Sequence, residues 1–312
     1  MTELKQQGTT TVPVNQLIER VVGQVWPGGS LYVVATPIGN LTDLSLRGWY
    51  ALAQADVIAA EDTRSTRPLL QAWGVQTPLM AAHRHNEAMA AEQIVQRLAQ
   101  GDRVALVSDA GAPAVSDPGA RIVRAVREAG YQVVPIPGAS AVITALMGTG
   151  ATSDENPAFA FAGFVPTKQQ ARRKWFAQWQ SFAGPVLMFE SPHRLRASLA
   201  DLLTVCGPER EVSVARELTK RFEQLHTMPL GEAVAWCDAD AHHEQGEFVL
   251  VLHAPMVGDT LGEELDATTQ AWVQALLTHL SVRDVAKVVS QVTGLSRDAV
   301  YQYALAHRDG GV

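Results

Sequence analysis

Cysteine is scarce: Cys206 and Cys237 are the only two in 312 residues. Neither sits in a CxxC or Cys/His spacing, which argues against a disulfide framework and a structural zinc site, and both read as reduced core thiols. Long hydrophobic runs are also missing. Apolar runs such as VALV at 104–107 and VLMF at 186–189 fall far short of the ~20 residues a membrane helix needs. The start, MTELKQQGTTTVPVNQL, has no charged segment leading into an apolar one, so no signal peptide and a cytoplasmic location are expected. An excess of positive charge is absent too. The net charge of −7 argues against coating nucleic acid with the whole surface, a mode that works by neutralising phosphate, but leaves room for a local basic patch.

Several nucleotide and hydrolase signatures are lacking. The first strand candidate is followed by Thr36-Pro37-Ile38-Gly39-Asn40 rather than GxGxxG, which removes the dinucleotide fingerprint and the usual Rossmann-type methyltransferase glycines. GxxxxGK[ST] does not occur, so a P-loop hydrolase is not expected. Ser140 in PGASA is followed two residues later by Val142, not the glycine of a nucleophile elbow.

What is present is alternation. Short β-rich runs at 31–35, 55–60, 78–83, 103–108 and 131–136 are separated by segments with 3.6-residue periodicity, such as Glu87 to Ala99 and Gly119 to Ala129. This predicts an α/β fold with a mostly parallel sheet covered by helices. A polar break, TGATSDENP at 149–157, precedes further strand candidates at 158–165, 185–191, 210–217 and 246–254. The expected organisation is a flexible extension over 1–29, α/β domains over 30–150 and 151–256, and a spacer with a helix-turn-helix-like tail over 257–312.

Three turns follow strands where an open parallel sheet binds ligands: ATPIGNLTD (35–43), SDAGAPAVSDPG (108–119) and PIPGASA (135–141). Their Gly and Pro let backbone approach a flat ligand closely, which suits an uncharged edge such as adenine better than a triphosphate.

Together with AEDTRSTRPLL (60–70), FAGFVP (161–166) and FESPHRLRASL (189–199), these turns resemble the tetrapyrrole-methylase-type, class III S-adenosylmethionine methyltransferases, and within them a small-subunit ribosomal RNA methyltransferase group. The resemblance runs from about residue 30 to 254. It implies two α/β domains of the tetrapyrrole methylase type with S-adenosylmethionine in the cleft between them, a homodimer, and as substrate the ribose 2′-hydroxyl of a cytidine in the decoding region of 16S rRNA within the small ribosomal subunit. Carried over by position, it implies cofactor contacts from Pro37, Gly111, Val115, Ser116, Ser140 and Ala141, with Met188 and Phe189 closing over the adenine and a further contact near Leu252 to Pro255. Ala112 stands where tetrapyrrole-directed relatives carry Asp, so Asp109 is the expected substitute.

Methyl transfer to a ribose hydroxyl needs near-attack positioning and gains from a base or a nearby cation, and no metal is expected. Glu61, Asp62 and Arg64, at the end of a strand, and His193 are the candidate catalytic residues; an ion pair at a helix start, with Asp62 or Thr63 capping, is the structural alternative. Lys168, Arg172, Arg173 and Lys174, with no acid among them, form a candidate RNA footprint helped by Trp175, and Arg194 is a candidate phosphate contact. The alternatives are a methyltransferase of the same fold acting on a small, tetrapyrrole-like substrate, and a non-catalytic ribosome-binding factor.

Overall fold

The computed structural model describes residues 13–154, 156–255 and 265–307. The chain divides into two compact units, 1–253 and 254–312. Among the described residues no helix is long and apolar enough to cross a membrane.

The alternating runs of the first half build five parallel strands. These are β1 (Ser30–Val34), β2 (Val57–Ala60), β3 (Leu79–Ala81), β4 (Arg103–Val107) and β5 (Gln132–Ile136), in the order β3-β2-β4-β1-β5. Buried on both faces, the central strands read as continuous apolar runs. Tyr32 and Val34 pack with Leu52, Leu69 and Leu70 on one side. Leu31, Val104 and Leu106 pack with Ile94, Leu98, Ile122 and Val126 on the other. The first side is covered by α2 (Leu46–Gln54) and α3 (Thr63–Ala72), the second by α4 (Glu87–Ala99) and α5 (Ala120–Glu128).

Residues 13–29 depart from the expected flexible extension. Val14–Val22 is a helix, α1, and the chain after it is tied down. The Trp26 indole donates to the Val21 carbonyl at 3.0 Å and meets the Tyr32 ring tilted and the Tyr50 ring edge-on, while Arg103 donates to the Trp26 carbonyl. Residues 1–12 lie outside the described residues.

Helix α6 (Ala141–Thr149) ends at Gly150, whose left-handed conformation (φ 58°) stops it. Val142 and Ala145 of α6 pack on Leu187, Ala215, Val249 and Val251 of a second sheet, so this helix joins the two sheets. The second sheet has the order β6-β7-β10-β8-β9. Its strands are β6 (Ala160–Phe164), β7 (Val186–Glu190), β8 (Glu211–Arg216), β9 (Gln224–Pro229) and β10 (Phe248–Leu252). Only β6 and β7 run parallel. Its outer face is covered by α7 (Gln169–Trp179), α8 (Leu195–Cys206) and α9 (Ala233–Ala239). β9 is missing from the sequence reading: in QLHTMP only Met228 is fully buried, so this edge strand carries almost no apolar alternation.

Among its described residues the carboxy-terminal unit, taken alone, has three helices: α10 (Ala267–Leu277), α11 (Val282–Thr293) and α12 (Arg297–Ala306). Val273, Val285, Ala286, Val289, Val300 and Ala304 form its core. Ser281 and Ser296 cap α11 and α12, and Gly294 (φ 73°) makes the turn between them.

Candidate active site

The turns after β1, β4 and β5 meet at the carboxyl edge of the parallel sheet. Thr36 and Gly111 exchange both backbone hydrogen bonds, at 2.9 and 3.0 Å, which clips the β1 turn to the SDAGAPAVSDPG loop. Gly111 is left-handed (φ 76°), and a Cβ there would stand 3.4 Å from Ile38. Ala114 and Ser116 are also left-handed (φ 68° and 64°), a costly arrangement for non-glycine residues that surrounding bonds must hold. The loop is anchored at its end by Glu87, which accepts from the backbone N–H groups of Gly119 and Arg121 at 2.9 and 3.1 Å.

These turns and the second sheet enclose a cavity of about 360 Å³. Gly111, Ala112 and Val115 form one wall, Ser140 and Ala141 at the start of α6 another, and Phe164, Phe189 and Phe248 a third. Phe164 and Phe189 meet edge to face at 5.2 Å. Glu61, Asp109, Asp117, Glu190 and Glu247 also line the cavity.

Three of these carboxylates are held above the usual carboxylate range, chiefly by burial. Asp109 Oδ1 accepts from the Asp62 N–H at 3.1 Å, and Glu61 Oε2 faces the Asp109 N–H at 3.4 Å, a reciprocal clip between β2 and the β4 loop. Burial raises both Glu61 and Asp109 above the usual carboxylate range. Burial first, then the charge of Glu61, pushes Asp117 up to about 6. The folded state therefore holds the Asp117 proton more tightly than the unfolded chain does, which costs stability above pH 6 and nothing below pH 4. Asp117→Asn is expected to raise stability at pH 8 by about 1–2 kcal/mol, after discounting for partial solvent exposure, and to give no gain near pH 4. Urea unfolding at both pH values checks this; a variant less stable than the parent at pH 8 would refute it.

Of the residues expected to hold the cofactor, Asp109, Gly111, Val115, Ser140, Ala141 and Phe189 line the cavity. Pro37 and Ser116 lie in its loops without forming its wall. Met188 is a correction: it is fully buried on the opposite face of β7, among Leu195, Leu199 and Trp236. Consecutive residues of a strand face opposite ways, so the Met188 and Phe189 side chains point to different sides of β7. The contact expected near Leu252 to Pro255 is also displaced, because β10 is an interior strand that meets the cavity at its start, through Phe248 and Val249.

Among the candidate catalytic residues, only Glu61 lines the cavity. Asp62 caps α3 and binds Arg64 at 2.6 Å, and the Arg64 hydrogen bonds hold its carboxyl down at about 2. His193 is exposed in the short turn Pro192–Arg194, away from the cavity wall.

The basic segment is corrected as well. Arg172 is buried and binds Asp201 of α8 at 2.5 Å, and Arg173 reaches the same carboxylate at 2.6 Å. Trp175 packs against Phe176 and Trp179 on the outer core. Lys168 and Lys174 remain exposed. Arg194 is committed to Glu190 at 2.7 Å, and Ser198 donates to the other oxygen of that buried carboxylate. Asp117, Phe164, Leu218 and Glu247 were missed as cavity residues; Asp117 lies in SDAGAPAVSDPG and Phe164 in FAGFVP, but nothing in the sequence gives the direction of their side chains.

The tetrapyrrole (corrin/porphyrin) methylase family matches residues 30–234, and the RsmI C-terminal HTH domain matches residues 263–308. The chain is 46% identical over 282 residues to ribosomal RNA small subunit methyltransferase I of Neisseria meningitidis serogroup B, covering 90% of this chain and 95% of that one. It is 42% identical to the protein of the same name from Escherichia coli O157:H7, covering 89% and 95%. The fold is like that in a crystal structure of diphthine synthase, with a TM-score of 0.56 at 16% identity over 72% of this chain and 90% of that one. A parallel sheet with its glycine-rich turns at the carboxyl edge, a mixed second sheet joined to it through α6 and a matching helical tail thus go with kinship over nine-tenths of the chain: it belongs to the S-adenosylmethionine-dependent tetrapyrrole methylase family, among the ribosomal RNA small subunit methyltransferase I proteins.

Proposed function

We propose that this protein methylates the ribose 2′-hydroxyl of a cytidine in the decoding region of 16S rRNA, on the small ribosomal subunit in the cytoplasm, and works as a homodimer. The kinship to small-subunit rRNA methyltransferases supports the substrate class. The observation that carries the chemistry is the cavity itself, where an apolar, aromatic wall and a set of carboxylates converge on glycine-rich backbone.

That lining fits S-adenosylmethionine. Phe164 and Phe189 offer a surface for a flat ring, the N-terminus of α6 at Ser140 and Ala141 offers backbone N–H groups to a carboxylate, and Asp109 and Asp117 favour a cationic ligand. The bound cofactor supplies a methyl group on a sulfonium, open to in-line displacement. Gly111 and Ala112 bring backbone close, and Ala112 leaves the holding there to main-chain groups. The desolvated Glu61 carboxylate is the base that takes the ribose proton, its raised pKa bringing it nearer the working pH. Asp62, held ionised by Arg64, is a weaker base and serves the α3 cap.

The test is transfer of label from S-adenosylmethionine to unmodified small subunits, to naked 16S rRNA and to a reduced porphyrin macrocycle, with nucleoside mass spectrometry of the RNA. Label in 2′-O-methylcytidine is the expected result. Label only in the macrocycle, or in no acceptor, overturns the reading.

A further inference from the structure

Between β8 and β9 the chain makes a loop, 217–223, whose base forms part of the cavity wall through Leu218. The loop is held from several sides. Lys220 Nζ binds Glu217 at 2.8 Å and Glu247 at 3.0 Å, and Glu217 Oε1 also accepts from the Glu247 N–H at 2.9 Å. Thr219 N–H donates to Glu223 at 2.5 Å, and Arg216 donates to the Phe222 carbonyl at 3.2 Å. Glu217 and Thr219 are both left-handed (φ 50° and 65°), a strain these bonds sustain. The approach of Lys220 to the β1 turn is equally tight, since a Cβ on Gly39 would stand 2.5 Å from Lys220 Cγ.

A loop fixed this firmly would be expected to bury its apolar tip. Instead Phe222 is 65% exposed, and the Arg221 guanidinium lies 5.5 Å from the centre of its ring. Lys220 is neutralised by two carboxylates, whereas Arg221 has no ion-pair partner among the described residues. The tip therefore presents an aromatic face and an available cation on a loop whose base walls the cavity, in a protein read as receiving a nucleotide out of a polyanion. Aromatic rings and guanidinium planes on fixed backbone are what single-stranded RNA bases stack on. A fixed loop also avoids the ordering cost that a mobile one would bring to binding.

We propose that Phe222 and Arg221 form a stacking and phosphate subsite for an unpaired nucleotide flanking the one that is methylated. This rests on the RNA reading above, and it assigns to the loop the positioning of the RNA strand rather than a part in the methyl transfer.

The experiment compares the full-length protein with Phe222→Ala, Phe222→Trp and Arg221→Ala, measuring KM for unmodified small subunits, kcat at saturating subunit and the Kd for S-adenosylmethionine. Phe222→Ala is expected to raise KM for subunits by about 5- to 150-fold, the range of one lost base–aromatic stack, with cofactor Kd and saturating kcat unchanged. Phe222→Trp should restore KM, and Arg221→Ala should raise it while flattening its dependence on salt. A KM unchanged in Phe222→Ala overturns the subsite. So does a shift of Phe222→Ala in sedimentation equilibrium, which would make the tip a contact between copies of the chain. If the parent protein leaves subunits unlabelled, the RNA reading itself fails, a result distinguishable from either of these.

Discussion

Glu61→Gln is expected to lower kcat by about 10²–10⁴-fold, with the Kd for S-adenosylmethionine changed little. Gln keeps an oxygen that can accept from the Asp109 N–H, now at 3.4 Å, so the clip between β2 and the β4 loop survives the substitution. What it loses is the basic carboxylate. The pH profile separates this from a structural effect. Burial raises the Glu61 pKa above its ordinary 4.5, so the parent activity should fall as acid protonates that group, along a limb displaced upward from 4.5. The Gln variant should lack that limb. Asp62→Asn should cost far less, because that carboxylate faces Arg64 and caps α3 outside the cavity wall. The measurement is initial rate against pH at saturating small subunits. A Glu61→Gln enzyme with at least a tenth of the parent kcat would remove Glu61 as the base.

Much of this site could be read from the sequence, because the features that build it are local. The expected strands preceding the three turns all form, the turns converge at the carboxyl edge, and the loop from Ser108 to Gly119 became a cavity wall as anticipated. Gly and Pro at fixed offsets signal such turns through backbone conformation alone. Direction was harder to read. Met188 and Phe189 are adjacent in an apolar run, and only the pairing of β7 with β10 decides which of them faces α6. β9 was invisible because an edge strand with one buried residue carries no pattern.

Electrostatics failed in a related way. The run from Lys168 to Lys174 contains no acid, so it reads as an unneutralised patch, yet Asp201 arrives from α8, about thirty residues further on, and takes both arginines. Charge balance is a property of space, and a local count cannot include a partner that only helix packing supplies.

The buried Arg172–Asp201 pair carries the largest expected stability effect. Asp201 is 1% exposed and accepts from Gln169 at 3.2 Å as well as from Arg172 and Arg173. Burial pushes its carboxyl up, but the bonds from Arg173, Arg172 and Gln169 outweigh this and hold it below the usual range. Asp201→Ala leaves the Arg172 guanidinium, itself 4% exposed, buried without its counterion. The expected loss is about 3–5 kcal/mol, or roughly 6–15 °C in Tm. Because the folded pKa of Asp201 is depressed, the pair's contribution is present above the unfolded value of 3.8 and lost as pH falls through the folded value, so the variant and parent should converge in strong acid. Replacing both partners, Arg172→Met with Asp201→Leu, should recover most of the loss, since a buried ion pair and an apolar pair of similar volume differ little in net energy. Calorimetry on the three proteins at pH 7 tests the reasoning. A single variant within 1 kcal/mol of the parent would mean that Arg172 finds water or another acceptor, and the segment would again be open to a role on RNA.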